Sequence, residues 1–180
     1  MRFSTLFAVA ATVVSVVSAA PQPHAEPELD SRDLSLAQII NLLGIGLVSK
    51  VDTFILLSTF EDNEVAVDFD VKNPLPIELT LDSVTTSASL NGTTYTSFTH
   101  TFSPPLVVAP LGTKNSGRIN NVLLTQGLTA SLDIVPFGVL DLNSNAKVRA
   151  ATILGHLGIP ISLDGLKQKN VPTSYTFDLS

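Results

Sequence analysis

The chain has 180 residues, no cysteine and a formal net charge of −6 at pH 7. Without cysteine it has no disulfides, no thiolate metal sites and no thiol redox chemistry, so its stability has to come from packing and hydrogen bonding. The acidic excess, with no run of lysine or arginine, argues against binding to nucleic acid.

Residues 1–20 have the layout of a secretory signal peptide. Arg2 gives a positive start, residues 3–17 form an apolar run, and Ala19 and Ala20 supply small residues at its end. The run is too short to span a bilayer comfortably. We therefore predict cleavage near Ala19 or Ala20 and a secreted, extracellular protein.

Residues 21–33 are rich in proline and acidic side chains. Such a segment cannot bury enough apolar surface to order itself, and we interpret it as a flexible leader or pro-segment. Processing after Arg32 and an uncleaved tail both remain open. A small secreted chain with a proline-rich leader is a common fungal layout, so we expect a fungal source.

Residues 34–48 are predicted to form a short helix and a connector. Leu36, Ile39, Ile40 and Leu43 follow the i, i+3, i+4, i+7 spacing of one helical face. This face either packs over one end of the main domain or lines a site for an apolar ligand. The polar side of the helix lacks the lysines and arginines of a membrane-surface helix.

After a first predicted strand at residues 51–60, two predicted strands meet at a proline corner, residues 73–76. Apolar residues alternate with polar ones on both sides of the corner, and this period of two marks half-buried strands. The alternating apolar residues are Val65, Val67, Phe69 and Val71 before the corner, and Ile77, Leu79 and Leu81 after it.

Turn signals then recur along the chain, and Asn91-Gly92 is the strongest, because both residues tolerate positive φ. Strands at this spacing predict an all-β fold over residues 49–180. The expected form is an antiparallel, seven- or eight-stranded, immunoglobulin- or fibronectin-III-like β-sandwich with a short N-terminal helix. The other predicted turns are residues 103–105, 110–117, 126–127, 143–145 and 164–165.

The strand that ends in Asn73-Pro74-Leu75-Pro76, followed by an alternating apolar strand and an Asn-Gly turn, resembles the water-stress and hypersensitive-response domain of the late embryogenesis abundant superfamily. The resemblance covers roughly residues 60–178. It implies late strands at residues 128–135 and 145–151, no catalytic residues, and surface interaction with proteins or membranes under stress. Many members of that family are intracellular or membrane-anchored, whereas this chain has the features of a secreted one.

The sequence offers one candidate modification site and weak candidates for other chemistry. Asn91 opens the sequon Asn91-Gly92-Thr93, and we predict N-glycosylation there. His24, His100 and His156 lack metal-ligand spacing, so we predict no metal site and no cofactor.

A group of carboxylates leaves two interpretations open. It either binds a cation or is the solvated face of an antiparallel sheet, and the second is simpler. Its members are Asp68, Asp70, Glu78 and Asp82.

We predict a non-enzymatic protein with a protective or surface-interaction role, whose partner is a protein, cell-wall or membrane surface. Two alternatives stay open. The first is an extracellular carrier of an apolar or lipid ligand, built on the helical face Leu36, Ile39, Ile40 and Leu43. The second is a hydrolase with an unrecognised site near His100 or His156. We expect a monomer that does not bind nucleic acid.

Overall fold

The computed structural model describes residues 46–179. The predicted signal peptide, the leader and the helical face Leu36, Ile39, Ile40 and Leu43 lie outside the described residues. Within residues 46–179, no helix is long and apolar enough to cross a membrane.

The described elements are eight strands and three short helical segments. In chain order they are β1 (Val48–Leu56), α1 (Thr59–Asp62), β2 (Glu64–Lys72), β3 (Leu79–Leu90), β4 (Thr93–Val108), β5 (Thr113–Asn115), β6 (Ile119–Leu123), α2 (Gly127–Leu132), a 3-10 turn (Val135–Phe137), β7 (Val139–Ala150) and β8 (Ile159–Asp178).

The eight strands form one curled open sheet, a half-barrel, in the order β4-β3-β7-β8-β1-β2-β5, with β6 also paired to β2. The long strand β8 joins the two flanks, because its residues 159–172 pair with β7 and its residues 173–178 pair with β1. At one end the sheet edges meet, and the Thr125 N–H donates to the Tyr95 carbonyl at 2.8 Å.

The all-β prediction is confirmed, since 66% of the described residues lie in strands. The expectation of a wholly antiparallel arrangement is wrong at one pairing, because β1 and β8 run parallel. Nearly the whole domain separates these two strands along the chain, so the long connection that parallel strands require is available. The narrower immunoglobulin- or fibronectin-III-like assignment stays a prediction.

The core lies inside the curl, between the two flanks of the sheet. The predicted inward face of β2 is confirmed, because Val65, Val67, Phe69 and Val71 are all buried. Leu79 and Leu81 of β3 are also buried, but Ile77 precedes that strand and is exposed, contrary to the predicted alternation.

The Asn91-Gly92 hairpin is confirmed, with φ of 51° and 83° at its two residues. By contrast, the turns predicted at residues 103–105, 143–145 and 164–165 lie inside strands. They coincide with bulges, where the pairing register of two strands shifts. Residues 102–105 lie opposite the single residue Asp82, and residues 164–165 lie opposite Asn145. Proline and glycine are tolerated at such bulges, because no ladder hydrogen bond is needed there.

The strand expected at residues 128–135 is wrong, because α2 and the 3-10 turn occupy it. Leu128 and Leu132 satisfy alternation and also the i, i+4 spacing of a helix, and both pack against the core. The Ser131 hydroxyl donates to the Gly127 carbonyl at 2.7 Å, one helical turn back. A helical period therefore explains this stretch.

The first predicted strand, residues 51–60, ends earlier in the structure than expected. β1 stops at Leu56, and Phe60 belongs to α1. The Thr59 hydroxyl accepts a hydrogen bond from the Leu56 N–H at 2.9 Å, which turns the chain before Phe60 is reached.

Candidate functional site

The loop between β7 and β8, residues 151–158, presents large apolar side chains to solvent, and we call it the apolar loop. Ile153, Leu154 and Leu157 are 70%, 82% and 79% exposed. Single exposed hydrophobic residues are common, but three on one short loop mark a candidate interaction site.

The backbone of the apolar loop adopts conformations that its residues disfavour. Ala151, Leu154 and Leu157 have φ of 55°, 51° and 59°. For a residue with a Cβ, the left-handed region costs roughly 1–2 kcal/mol. Strain of this kind clusters at functional sites and persists only where surrounding contacts impose it.

One arginine at the end of β7 imposes much of this conformation. The Arg149 guanidinium donates to both carboxylate oxygens of Asp82, with Nη2 to Oδ1 at 2.7 Å and Nε to Oδ2 at 2.9 Å. Its Nη1 donates to the carbonyls of Gly155 and Leu157 at 2.9 and 3.0 Å. The arginine therefore ties the loop to β3 in a fixed geometry.

A second set of hydrogen bonds holds the loop from the other side. The Glu78 carboxylate accepts the Gly155 N–H at 2.9 Å. Hydrogen bonds from the Gly155 backbone, the Thr152 side chain and the Leu154 backbone lower the pKa of Glu78, so it stays ionised at neutral pH. The buried hydroxyls of Thr80 and Thr152 lie 2.8 Å apart.

Two other connections lie at the same end of the half-barrel as the apolar loop: the β2–β3 connection, residues 73–78, and the β4–β5 connection, residues 109–112. The strand register places the end of β2, the end of β4 and the start of β8 at this end. Ile77, Leu111 and Ile159 are exposed there as well. Together with the loop they make one end of the molecule apolar. Sequence reasoning missed this site, because residues 151–158 show no periodicity.

The predicted acidic patch does not form as one group. Glu78 and Asp82 bind the apolar loop and Arg149, as described above. Asp68 and Asp70 lie on β2, where Asn115 Nδ2 donates to both carboxylates at 3.1 and 2.9 Å. Within residues 46–179 no cluster of three or more histidine, cysteine or acidic residues could hold a metal ion.

Among the described residues, the rings of His100 and His156 make no hydrogen bond to a serine or a carboxylate. The His100 ring meets Phe102 edge-on, with centroids 4.7 Å apart. The His156 backbone pairs with Ile153 inside the apolar loop. His24 lies outside the described residues. No described contact favours the hydrolase alternative. Asn91 is exposed at the hairpin tip, and its glycosylation stays a prediction.

The interior of the half-barrel holds small apolar cavities. One of them is about 50 Å³, and Val51, Phe69 and Leu142 are among its walls. A neighbour of about 40 Å³ shares the Phe69 wall. An apolar cavity of about 150 Å³ is known to hold benzene, so these spaces are too small for a lipid without opening of the sheet.

Two buried polar atoms lack hydrogen-bond partners among the described residues, the hydroxyls of Thr96 and Tyr175. Of the two, Thr96 lines the cavity of about 50 Å³. Burial raises the pKa of Tyr175 to about 12. An unfolded tyrosine ionises near pH 10. Between about pH 10 and 12 the unfolded chain therefore loses this proton first, and the free energy of unfolding falls as pH rises.

We expect Tyr175→Phe to stabilise the protein by about 1 kcal/mol at pH 7, because it removes a buried hydroxyl without a partner. The variant should also lose less stability between pH 10 and 12. Urea unfolding at pH 7 and pH 11 measures both effects, with Tyr95→Phe as the matched control. A destabilised Tyr175→Phe protein would mean that the hydroxyl is hydrogen bonded.

No family model matches the sequence, and no curated protein matches it either. Solved structures that are similar to it include the following two. A protein from Archaeoglobus fulgidus has 12% identity and a TM-score of 0.28, covering 55% of this chain and 78% of that chain. A protein of Arabidopsis thaliana, solved in solution, has 18% identity and a TM-score of 0.32, covering 72% of this chain and 82% of that chain. At these values the likeness carries no argument about family or function.

Proposed function

We propose that the protein is a secreted, non-enzymatic protein that acts by surface contact, and that the apolar loop makes this contact. The observation that carries the proposal is the combination of strain and exposure at Leu154 and Leu157. Both side chains point into solvent from left-handed backbone, held there by Arg149 and Glu78. Packing among residues 46–179 does not require these two side chains, so recognition of an apolar surface best accounts for them.

Membership of the late embryogenesis abundant superfamily, with its sandwich-type fold, is part of this proposal. Its support is the Asn73-Pro74-Leu75-Pro76 corner. Asn73 is buried and hydrogen bonded on all sides, so the motif has a structural role here. Secretion rests on the signal-peptide layout of residues 1–20. The expectation of a monomer and the exclusion of nucleic acid rest on composition and charge.

The carrier alternative is less well supported. It depends on the helical face Leu36, Ile39, Ile40 and Leu43, which lies outside the described residues. The cavities that the described residues do enclose are small, at about 50 and 40 Å³. A lipid ligand would have to open the half-barrel and displace core side chains, at a cost in packing.

The proposal is tested by binding to three surfaces: phosphatidylcholine vesicles, chitin particles and a heat-denatured enzyme such as citrate synthase. We expect the wild type to bind at least one of them, and Leu154→Asn/Leu157→Asn to lose that binding. Asparagine tolerates the left-handed region, so the double variant should stay folded.

The matched control is Leu57→Gln/Leu123→Gln, which removes two exposed leucines from the opposite end of the half-barrel and creates no Asn-x-Ser/Thr sequon. It should bind as the wild type does. Wild-type protein that binds none of the three surfaces, or a loop variant that binds unchanged, would overturn the proposal.

A further inference from the structure

We propose that the surface recognised by the apolar loop is that of a lipid bilayer with zwitterionic headgroups, into which Ile153, Leu154 and Leu157 insert. This inference rests on the proposed function and names its partner. Three features of the described residues favour a bilayer over a protein or a polysaccharide: the saturation of the loop backbone, the aliphatic composition of the apolar surface, and the local charge.

The loop backbone is hydrogen bonded within the protein where the side chains would insert. Ile153 and His156 exchange both N–H to carbonyl hydrogen bonds at 3.0 Å. The Gly155 N–H is bound by Glu78, and the carbonyls of Gly155 and Leu157 are bound by Arg149. Hydrocarbon offers no partners to polar groups, so a segment that enters it has to satisfy its backbone internally. The apolar loop does so for these groups.

The composition of the apolar surface at this end suits a bilayer better than a protein partner. Its six exposed large apolar side chains are all isoleucine or leucine: Ile77, Leu111, Ile153, Leu154, Leu157 and Ile159. Protein interfaces are enriched in aromatic residues and arginine, and the arginine beside the loop, Arg149, is already paired with Asp82. The hydrocarbon of a bilayer accepts aliphatic side chains directly.

The charges beside the loop favour a neutral lipid surface. Arg149 is paired with Asp82, and Glu78 carries a charge that no described cation neutralises. The chain as a whole has a formal net charge of −6. Anionic lipid would therefore repel the protein, whereas zwitterionic lipid would not. This arrangement is the reverse of the basic patches that attract phosphatidylserine.

The predicted glycan would not obstruct such a contact. Asn91 follows the last residue of β3, and the apolar loop contacts Glu78 and Thr80 at the start of that strand. β3 has 12 residues. At about 3.3 Å per residue this separates the hairpin tip from the loop by roughly 35 Å along the strand. A glycan at Asn91 would stay in water while the loop meets the bilayer.

The experiment is a flotation titration of the full secreted protein with phosphatidylcholine vesicles. For the wild type we expect reversible binding with a partition constant on the order of 10⁴ M⁻¹, comparable with a single myristoyl chain. Leu154→Asn/Leu157→Asn should bind at least about 100-fold more weakly, because two leucines no longer leave water. Leu57→Gln/Leu123→Gln should bind as the wild type does. Thermal unfolding of the loop variant should show a midpoint no lower than that of the wild type, because asparagine suits both backbone positions.

Adding phosphatidylserine to the vesicles should leave binding unchanged or weaken it. Binding that strengthens with phosphatidylserine would overturn the inference, because charge would then be the source of affinity. Absent binding to phosphatidylcholine, or equal binding by the loop variant, would overturn it too. If the loop variant instead loses contact with chitin or the denatured enzyme, the bilayer is the wrong partner and the proposed function stands.

Discussion

We expect Asn73→Ala to lower the free energy of unfolding by about 3 kcal/mol, since it would remove the central hydrogen-bonding group of the proline corner. Asn73 is 0% exposed. Its Nδ2 donates to the carbonyls of Ile77, Val108 and Ala109 at 2.8, 3.2 and 3.1 Å. Its Oδ1 accepts the Leu75 N–H at 3.0 Å. Alanine would remove all four hydrogen bonds, and of the three carbonyls the one of Ala109 would keep its bond from the Gly112 N–H at 3.0 Å.

Urea unfolding followed by far-ultraviolet circular dichroism measures the loss. Asn115→Ala is the matched control, because Asn115 is exposed and hydrogen bonds to the exposed side of β2. We expect this control to cost less than about 1 kcal/mol. Equal losses at the two positions would contradict a special role for the buried amide of Asn73.

We expect Gly158→Ala to lower the free energy of unfolding by about 2–4 kcal/mol and to displace the apolar loop. Gly158 has φ of 97°, where a side chain is strained. A Cβ there would lie 2.5 Å from Thr152 Cγ2 and 3.0 Å from the Ala150 carbonyl oxygen. The second contact is with backbone, which cannot move without breaking the β7–β8 register.

The matched control for this prediction is Gly117→Ala. Gly117 also has positive φ, at 76°, but a Cβ added there would meet nothing within 4 Å. The substitution should lower the free energy of unfolding by only about 1 kcal/mol, which is the cost of placing a residue with a Cβ at positive φ. The difference between the two losses, both measured by urea unfolding, is the cost of the steric clash at Gly158. Losses of the same size would show that the loop has room to adjust.

The sequence predicts the part of the fold that depends on local pattern. The alternation of Val65, Val67, Phe69 and Val71 identifies β2, and Asn91-Gly92 identifies the hairpin between β3 and β4, because period and turn chemistry are local properties. The parallel pairing of β1 and β8 could not be predicted in this way. It depends on contacts between Val51 and Thr173, far apart in the chain.

The turn residues that lie inside strands show the same limit. Pro104 and Gly165 are typical of turns, yet each sits in a bulge whose existence depends on the neighbouring strand. A single-sequence pattern does not distinguish a bulge from a turn, because both tolerate the same residues.

The candidate site could be found only from the structure. Leu154 and Leu157 look like ordinary core residues in the sequence, and Arg149 lies 67 positions away from its partner Asp82. Their roles follow from the left-handed backbone and the solvent exposure of the loop. The sequence signal that could have drawn attention to the loop is the pair Gly155 and Gly158 among large aliphatic residues.

The most direct test of the central claim is the environment of one probe at the tip of the apolar loop. The chain has no cysteine, so Leu154→Cys can be labelled with an NBD fluorophore at a single position. We expect its emission to shift to the blue and to intensify with at least one of three surfaces: phosphatidylcholine vesicles, chitin particles or the heat-denatured enzyme. The same label at Leu123→Cys should not respond. Unchanged emission at position 154 with all three surfaces, or an equal response at position 123, would contradict the assignment of the apolar loop as the contact surface.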